Sequence, residues 1–329
     1  MKEFYFNNNL NSFIKLNKKN SIYNLITKII YIFIFSFLLL IINYNLGNNL
    51  SNIIFEKYNI EDLFKIENKL IKYNCSLMSK KDRVFLNGII NKFKPRKVLE
   101  LGVNKGGSSI IILNALNKIK NSKLYSIDLY QWKYIGSCVY NYFPNLMPNW
   151  KLFSGNIATK FIEEIGPNID MAFIDTAHFE PGEILDFLMI LPFLKKGALV
   201  GFHDISSQIN SAGWPNSRNE WAPYIIFNLI RGKKFYPFGN NLLTQNIGFI
   251  KLENNQYKYI HDYFRALGGQ WQYFPKKEHI DLFTKFIKKY YDKESLIIFK
   301  EAIKFNRDFI KNNPKKKFDY SLIKKYKKK

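Results

Sequence analysis

Two short runs, Phe173-Ile174-Asp175-Thr176-Ala177-His178 and Gly201-Phe202-His203-Asp204, set two carboxylates and two imidazoles within one stretch, with Asp175 lying 28 and 29 residues before His203 and Asp204. Such side chains take up and release protons near neutral pH. Upstream runs Val98-Leu99-Glu100-Leu101-Gly102-Val103-Asn104-Lys105-Gly106-Gly107-Ser108-Ser109, whose glycines allow a tight turn and let a ligand lie against backbone. Asn104 rules out the Gly-x-Gly-x-x-Gly dinucleotide pattern, and no Gly-Lys-Ser/Thr follows to make a phosphate loop. Asp128 comes 26 residues after Gly102, where a carboxylate can accept hydrogen bonds from ribose hydroxyls. In the turn Ser154-Gly155-Asn156-Ile157, Asn156 can bond an adenine edge.

These residues need strands to carry them. Lys97–Leu101, Lys123–Asp128, Trp150–Ser154, Met171–Asp175 and Ala198–His203 read as strands, with helices expected over Ser108–Asn117, Thr159–Ile165 and Pro181–Leu194. Residues 220–232 read as a further helix and Asn246–Leu252 as a late strand. The alternation predicts an α/β fold, a Rossmann-like doubly wound and mostly parallel sheet. Ligands of such sheets bind beyond the carboxyl ends of the strands, where Asp175, His178, His203 and Asp204 gather. The polar stretch 206–222 follows the fifth strand and offers Trp214, Arg218 and Trp221 as substrate contacts. His261 and His279 read as surface or packing residues, as do Tyr140, Tyr142 and Phe143 as packing.

Over roughly 83–252 the chain resembles the class I S-adenosylmethionine-dependent methyltransferases. The likeness is greatest to small-molecule and sugar O-methyltransferases with the architecture of catechol O-methyltransferase. It is carried by the Glu-Leu-Gly-x-x-x-Gly-Gly-Ser loop, the Ile-Asp-x-x-His strand end, and Leu194-Lys195-Lys196-Gly197-Ala198 before a strand ending His-Asp. The resemblance implies that Glu100, Gly102 and Gly106 hold the methionine end of S-adenosylmethionine, Asp128 its ribose and Asn156 the adenine surroundings. It implies a divalent metal, Mg or Mn, as a further cofactor held by Asp175, His203 and Asp204. Because Mg²⁺ prefers oxygen donors, His203 implies either a metal more tolerant of nitrogen or an imidazole pointing elsewhere. The implied reaction is in-line methyl transfer to a hydroxyl of a small molecule or glycan, with His178 as base beside Asp175.

The ends of the chain differ from this middle. Of 329 residues, 50 are Lys or Arg and 26 Asp or Glu, a net charge of +24. Residues 97–204 are neutral, while 1–96 carry +9, 205–275 carry +4 and 276–329 carry +11. No recognition-helix, zinc-finger or RNP pattern accompanies the basic ends, so nucleic acid is not expected as a partner. Two cysteines, Cys75 and Cys138, are too few for a disulfide framework. Ile22–Ile42 is strongly apolar and, at 21 residues, about 31 Å long as a helix, which predicts a membrane anchor over 22–46 and a single-pass membrane protein. The expected plan is a basic segment 1–21, the anchor 22–46, a helical linker 47–82, the catalytic domain 83–252 and a Lys-rich helical extension 253–329. The alternative is a membrane-tethered, non-catalytic binding protein with a Rossmann-like domain and a basic tail.

Overall fold

In the computed structural model, residues 61–207, 220–237 and 245–312 are described. They form a seven-stranded sheet of order β3-β2-β1-β4-β5-β7-β6. Strands β1 (Lys97–Leu101), β2 (Lys123–Asp128) and β3 (Trp150–Ser154) fall at the expected residues. β4 spans Ile169–Ile174 and β5 spans Leu194–His203, so Asp175 lies just past its strand and not within it. These five run parallel; β7 (Ile247–Leu252) pairs antiparallel with β5 and with β6 (Gly232–Phe235). β6 was not expected. Its four residues include two lysines, which suits a short edge strand and hides the apolar alternation that marks a longer one.

Period-two alternation sends neighbouring side chains to opposite faces and so builds two cores. Val98, Met171, Phe173, Leu199 and Phe249 pack with α1 (Glu61–Lys72), α2 (Lys80–Phe93), α3 (Gly107–Leu116) and α4 (Ser137–Tyr142). Leu99, Leu101, Ala172, Ile174, Val200 and Phe202 pack on the other face with α5 (Ile162–Ile165), α6 (Gly182–Ile190), α7 (Ala222–Leu229) and α8 (Ile260–Arg265). The Lys-rich helices α9 (Lys277–Tyr290) and α10 (Lys293–Asn312) join that second core through Phe283, Phe286, Ile287 and Phe299. The expected helix over Thr159–Ile165 is broken into a 3₁₀ turn and the single turn α5, and the one from Pro181 stops at Ile190 ahead of Pro192. The two cysteines pair as Cys75–Cys138, tying the α1–α2 connector to α4.

The expected anchor over 22–46 lies outside the described residues. Among the described residues no helix is long and apolar enough to cross a membrane. The single-pass membrane localisation, and with it a membrane partner, is therefore corrected: nothing described supports it.

Candidate active site

The loop between β1 and α3 is shaped by backbone that only certain residues adopt. Gly102 sits at φ +85°, and a Cβ there would collide with the carbonyl oxygen of Asp175. The strand-four tip is thus pressed against the loop, and the Asp175 N–H donates to Leu101 O at 2.9 Å. Gly106, at φ +95°, caps α3, and a Cβ there would lie 2.8 Å from a Val139 methyl. From the α4 side, Gly136 N–H donates to Asn104 O at 2.7 Å and Cys138 N–H to Lys105 O at 2.9 Å.

Asp128 closes the loop from the tip of β2. Its Oδ2 accepts from the N–H groups of Val103 (3.0 Å) and Asn104 (3.1 Å), and its Oδ1 from that of Tyr130 (2.9 Å). Oδ1 keeps acceptor capacity for a further donor. Asn156 uses its side-chain carbonyl on Ile157 N–H, leaving its amide N–H₂ for a ligand. Tyr130 stacks on Trp132 at 4.0 Å beside them, an aromatic wall signalled in the sequence only by the alternation Tyr130, Trp132, Tyr134.

Glu100 is placed differently from expectation. It is fully buried, and its Oε2 accepts from Ser109 Oγ on α3 and Ser126 Oγ on β2, both at 2.6 Å. Burial pushes its carboxyl up to about 7, against the hydrogen bonds of the serines. It braces helix against strand and shapes the loop from beneath.

At the ends of β4 and β5 the expected residues do converge. Donor atoms of Asp175, His178 and Asp204 all lie within 4.8 Å of one another, a spacing that fits a metal ion. His178 Nε2 is 3.1 Å from Asp204 Oδ2 and 3.9 Å from Asp175 Oδ1, and its Nδ1 is 3.2 Å from Glu183 Oε1. Asp204 adopts φ +55°, a costly conformation for a non-glycine residue, and Asn246 holds its Oδ1 through Nδ2 at 2.7 Å.

His203 stands beside that group: its Nδ1 lies 3.2 Å from Asp204 Oδ2 and 3.8 Å from Asp175 Oδ2, while its Nε2 turns to Asp82 on α2 at 3.6 Å. The imidazole is held among carboxylates from three elements. Burial alone would lower the pKa of both histidines. The surrounding carboxylates win, so His178 is raised to about 10 by Glu183, Asp204 and Asp175, and His203 is raised well above its ordinary value by Asp175, Asp204 and Asp82. Asp204 is held well below the usual carboxylate range: burial would raise it, but the two imidazoles and Asn246 outweigh that.

A cleft of about 380 Å³ opens beside this cluster, lined by Ser79, Lys81, Asp82, His203, Asp204 and Asn246 among others. Asp82, Glu183 and Asn246 escaped the sequence reading. The pattern Ser79-Lys80-Lys81-Asp82 marks a helix start, and it is one: Ser79 accepts from Asp82 N–H at 3.1 Å. Nothing local tells that the same carboxylate reaches His203. Trp214 and Arg218 lie outside the described residues, while Trp221 is half exposed and packs edge-on against Tyr224. His261 pairs with Asp292 at 2.8 Å and His279 sits beside Glu278, both away from the cluster. Phe143 is buried, and Tyr140 and Tyr142 pack on Trp150 and Tyr73.

Residues 99–205 match the family described as methyltransferase domain. Solved structures similar to the chain include an O-methyltransferase from Bacillus cereus in complex with SAH, 14% identical, covering 62% of this chain and 97% of that one, with a TM-score of 0.43. An O-methyltransferase from Streptomyces achromogenes involved in tomaymycin synthesis, in complex with SAM, is 14% identical over 64% of this chain and 98% of that one, TM-score 0.43. An SAH-bound methyltransferase from Podospora anserina is 14% identical over 59% and 87%, TM-score 0.44. No curated protein matches the chain.

Proposed function

We propose that the chain, whose residues 99–205 match the methyltransferase domain family, is a class I S-adenosylmethionine-dependent methyltransferase that methylates a hydroxyl of a small molecule or glycan. The observation that carries this is the meeting of Asp175, His178 and Asp204 against the Gly102 turn, which joins a proton-handling cluster to the cofactor loop. In this reading the catalytic body is 83–252, with α1 before it and α8, α9 and α10 after it among the described residues. A non-catalytic binding protein is not favoured by the domain match.

Gly102 and Gly106 leave room along the loop for the methionine end, Asp128 Oδ1 takes a ribose hydroxyl, and Asn156 with Tyr130 borders the adenine. S-adenosylmethionine, when bound, supplies an electrophilic methyl group. His178 receives the acceptor's proton at Nε2. Burial would lower the pKa of that ring, but Glu183, Asp204 and Asp175 outweigh it and raise it to about 10, so it serves as a base when positive charge engages Asp175 and Asp204. The two carboxylates and one imidazole also suit a divalent cation of the Mn²⁺ kind, which when bound lowers the pKa of a coordinated hydroxyl. In that variant Asp175, His178 and Asp204 are the ligands, and His203 positions Asp204.

Calorimetric titration with S-adenosylmethionine tests the cofactor assignment. Binding is expected, with Asp128→Ala raising Kd at least about tenfold, or ~1.4 kcal/mol. Absence of binding by the wild type overturns it. Transfer of a labelled methyl group to a panel of hydroxylated small molecules and oligosaccharides, before and after chelation, separates the metal variant: activity that survives chelation but falls in His178→Asn leaves the base alone.

A further inference from the structure

We propose that Glu183 is a positioning residue that fixes the His178 ring, accepting a hydrogen bond from Nδ1–H so that Nε2 is the atom presented to Asp175 and Asp204. This rests on the role given to His178 above and adds a residue that no likeness of motif assigns.

Glu183 lies in the first turn of α6 and is fully buried. Its Oε1 faces both the Thr176 N–H and His178 Nδ1, each at 3.2 Å. Its Oε2 is buried with no hydrogen-bond partner among the described residues. A buried carboxylate with one oxygen unsatisfied costs stability. Anchoring one backbone N–H does not require a charge, since a neutral amide or hydroxyl does the same. The group that does gain from a carboxylate here is the imidazole.

The approach is built into the chain. A Cβ on Gly182 would collide with the carbonyl oxygen of Ala177, so the start of α6 lies tight beneath the 175–178 turn. That brings Glu183 under Nδ1. On the other side of the ring, Nε2 stands 3.1 Å from Asp204 and 3.9 Å from Asp175. A carboxylate on one ring nitrogen sets which tautomer and which orientation the other presents, whether that other nitrogen moves a proton or binds a cation.

Selective ¹⁵N-histidine NMR on the full chain tests this, because four histidines give a small set of ring signals and His178→Asn assigns one of them. A slowly exchanging Nδ1–H resonance of His178 is expected in the wild type. Glu183→Gln, which still accepts through its carbonyl, keeps that resonance but shifts it. Glu183→Ala and the near-isosteric Glu183→Met lose it while the His203, His261 and His279 signals stay in place. Persistence of an unchanged resonance in Glu183→Gln, or its survival in either apolar variant, overturns the proposal, as does its absence from the wild type. Failure of S-adenosylmethionine to bind would overturn the methyltransferase reading and leave these ring signals untouched, so the two failures are told apart.

Discussion

Asp128 and Glu100 stand on neighbouring strands, and their surroundings give them different work. Asp128 is paid three backbone N–H bonds and stays available to a ligand, whereas Glu100 is sealed between Ser109 and Ser126 with its other oxygen unpaired. Because burial raises the Glu100 carboxyl from 4.5 to about 7, the folded protein holds its proton more tightly than the unfolded chain does. Stability from this residue is therefore full below pH 4.5 and is lost as pH rises through about 7. Glu100→Gln, which mimics the protonated form, is expected to gain on the wild type across that window, by ~3 kcal/mol at most on the 1.36 kcal/mol-per-unit scale. Denaturant unfolding of both proteins at pH 4.5 and pH 8 measures it, and parallel curves would show that Glu100 does not titrate there. At this scale the sequence told that Asp175, His178, His203 and Asp204 gather at one sheet edge. It did not tell the further partners of His203 and Glu100, because Asp82 in one case and Ser126 in the other come from distant parts of the chain.

The elements were more legible than the contacts. β1, β2 and β3 stand at the residues read from their apolar, β-branched and aromatic runs, because those runs are bounded by turns and, in β1 and β2, are mostly buried. The edge strand β6 and the broken helix after β3 were not legible, since pairing with β7 and a single helical turn leave little periodic signal. The element that the sequence left unconnected is the α1–α2 connector, which the Cys75–Cys138 bridge fastens to α4, next to the Asn104 and Lys105 carbonyls. Closing a 63-residue separation restricts the unfolded chain by about 4 kcal/mol in the loop-entropy account. Cys75→Ser is expected to lower stability by up to that amount and to weaken S-adenosylmethionine binding through the slackened loop. Denaturation midpoints and calorimetry with and without reductant read both effects, and a wild type indifferent to reductant would refute the coupling.

At the scale of the molecule, the catalytic sheet and the helices after it share one core. Phe299 of α10 is buried against Phe283 at 5.0 Å between ring centroids, and Asn306 of the same helix accepts from the Trp271 N–H at 2.7 Å. The basic extension is thus a structural cover for one sheet face over its described length. Phe299→Ala is expected to cost about 3–5 kcal/mol, a large part of a domain's stability, while removing no group from the site. A loss below about 1 kcal/mol in chemical denaturation would show α10 to be detachable. The net charge of +24 belongs to the two ends and to the solvent faces of these helices, and the neutral 97–204 stretch holds the site.

The sequence by itself determined the alternating strands and helices, the turn glycines and the side chains capable of chemistry at the strand ends, because periodicity, positive φ and side-chain chemistry are properties of neighbouring residues. Only the tertiary structure decided how His178 and His203 each meet Asp175 and Asp204, that Asp82 and Glu183 stand at the far nitrogens of the two imidazoles, and that Glu100 is sealed between Ser109 and Ser126. Those are choices among partners far apart in the chain, made by which faces pack together, and the energy of each carboxylate depends on the burial that packing creates.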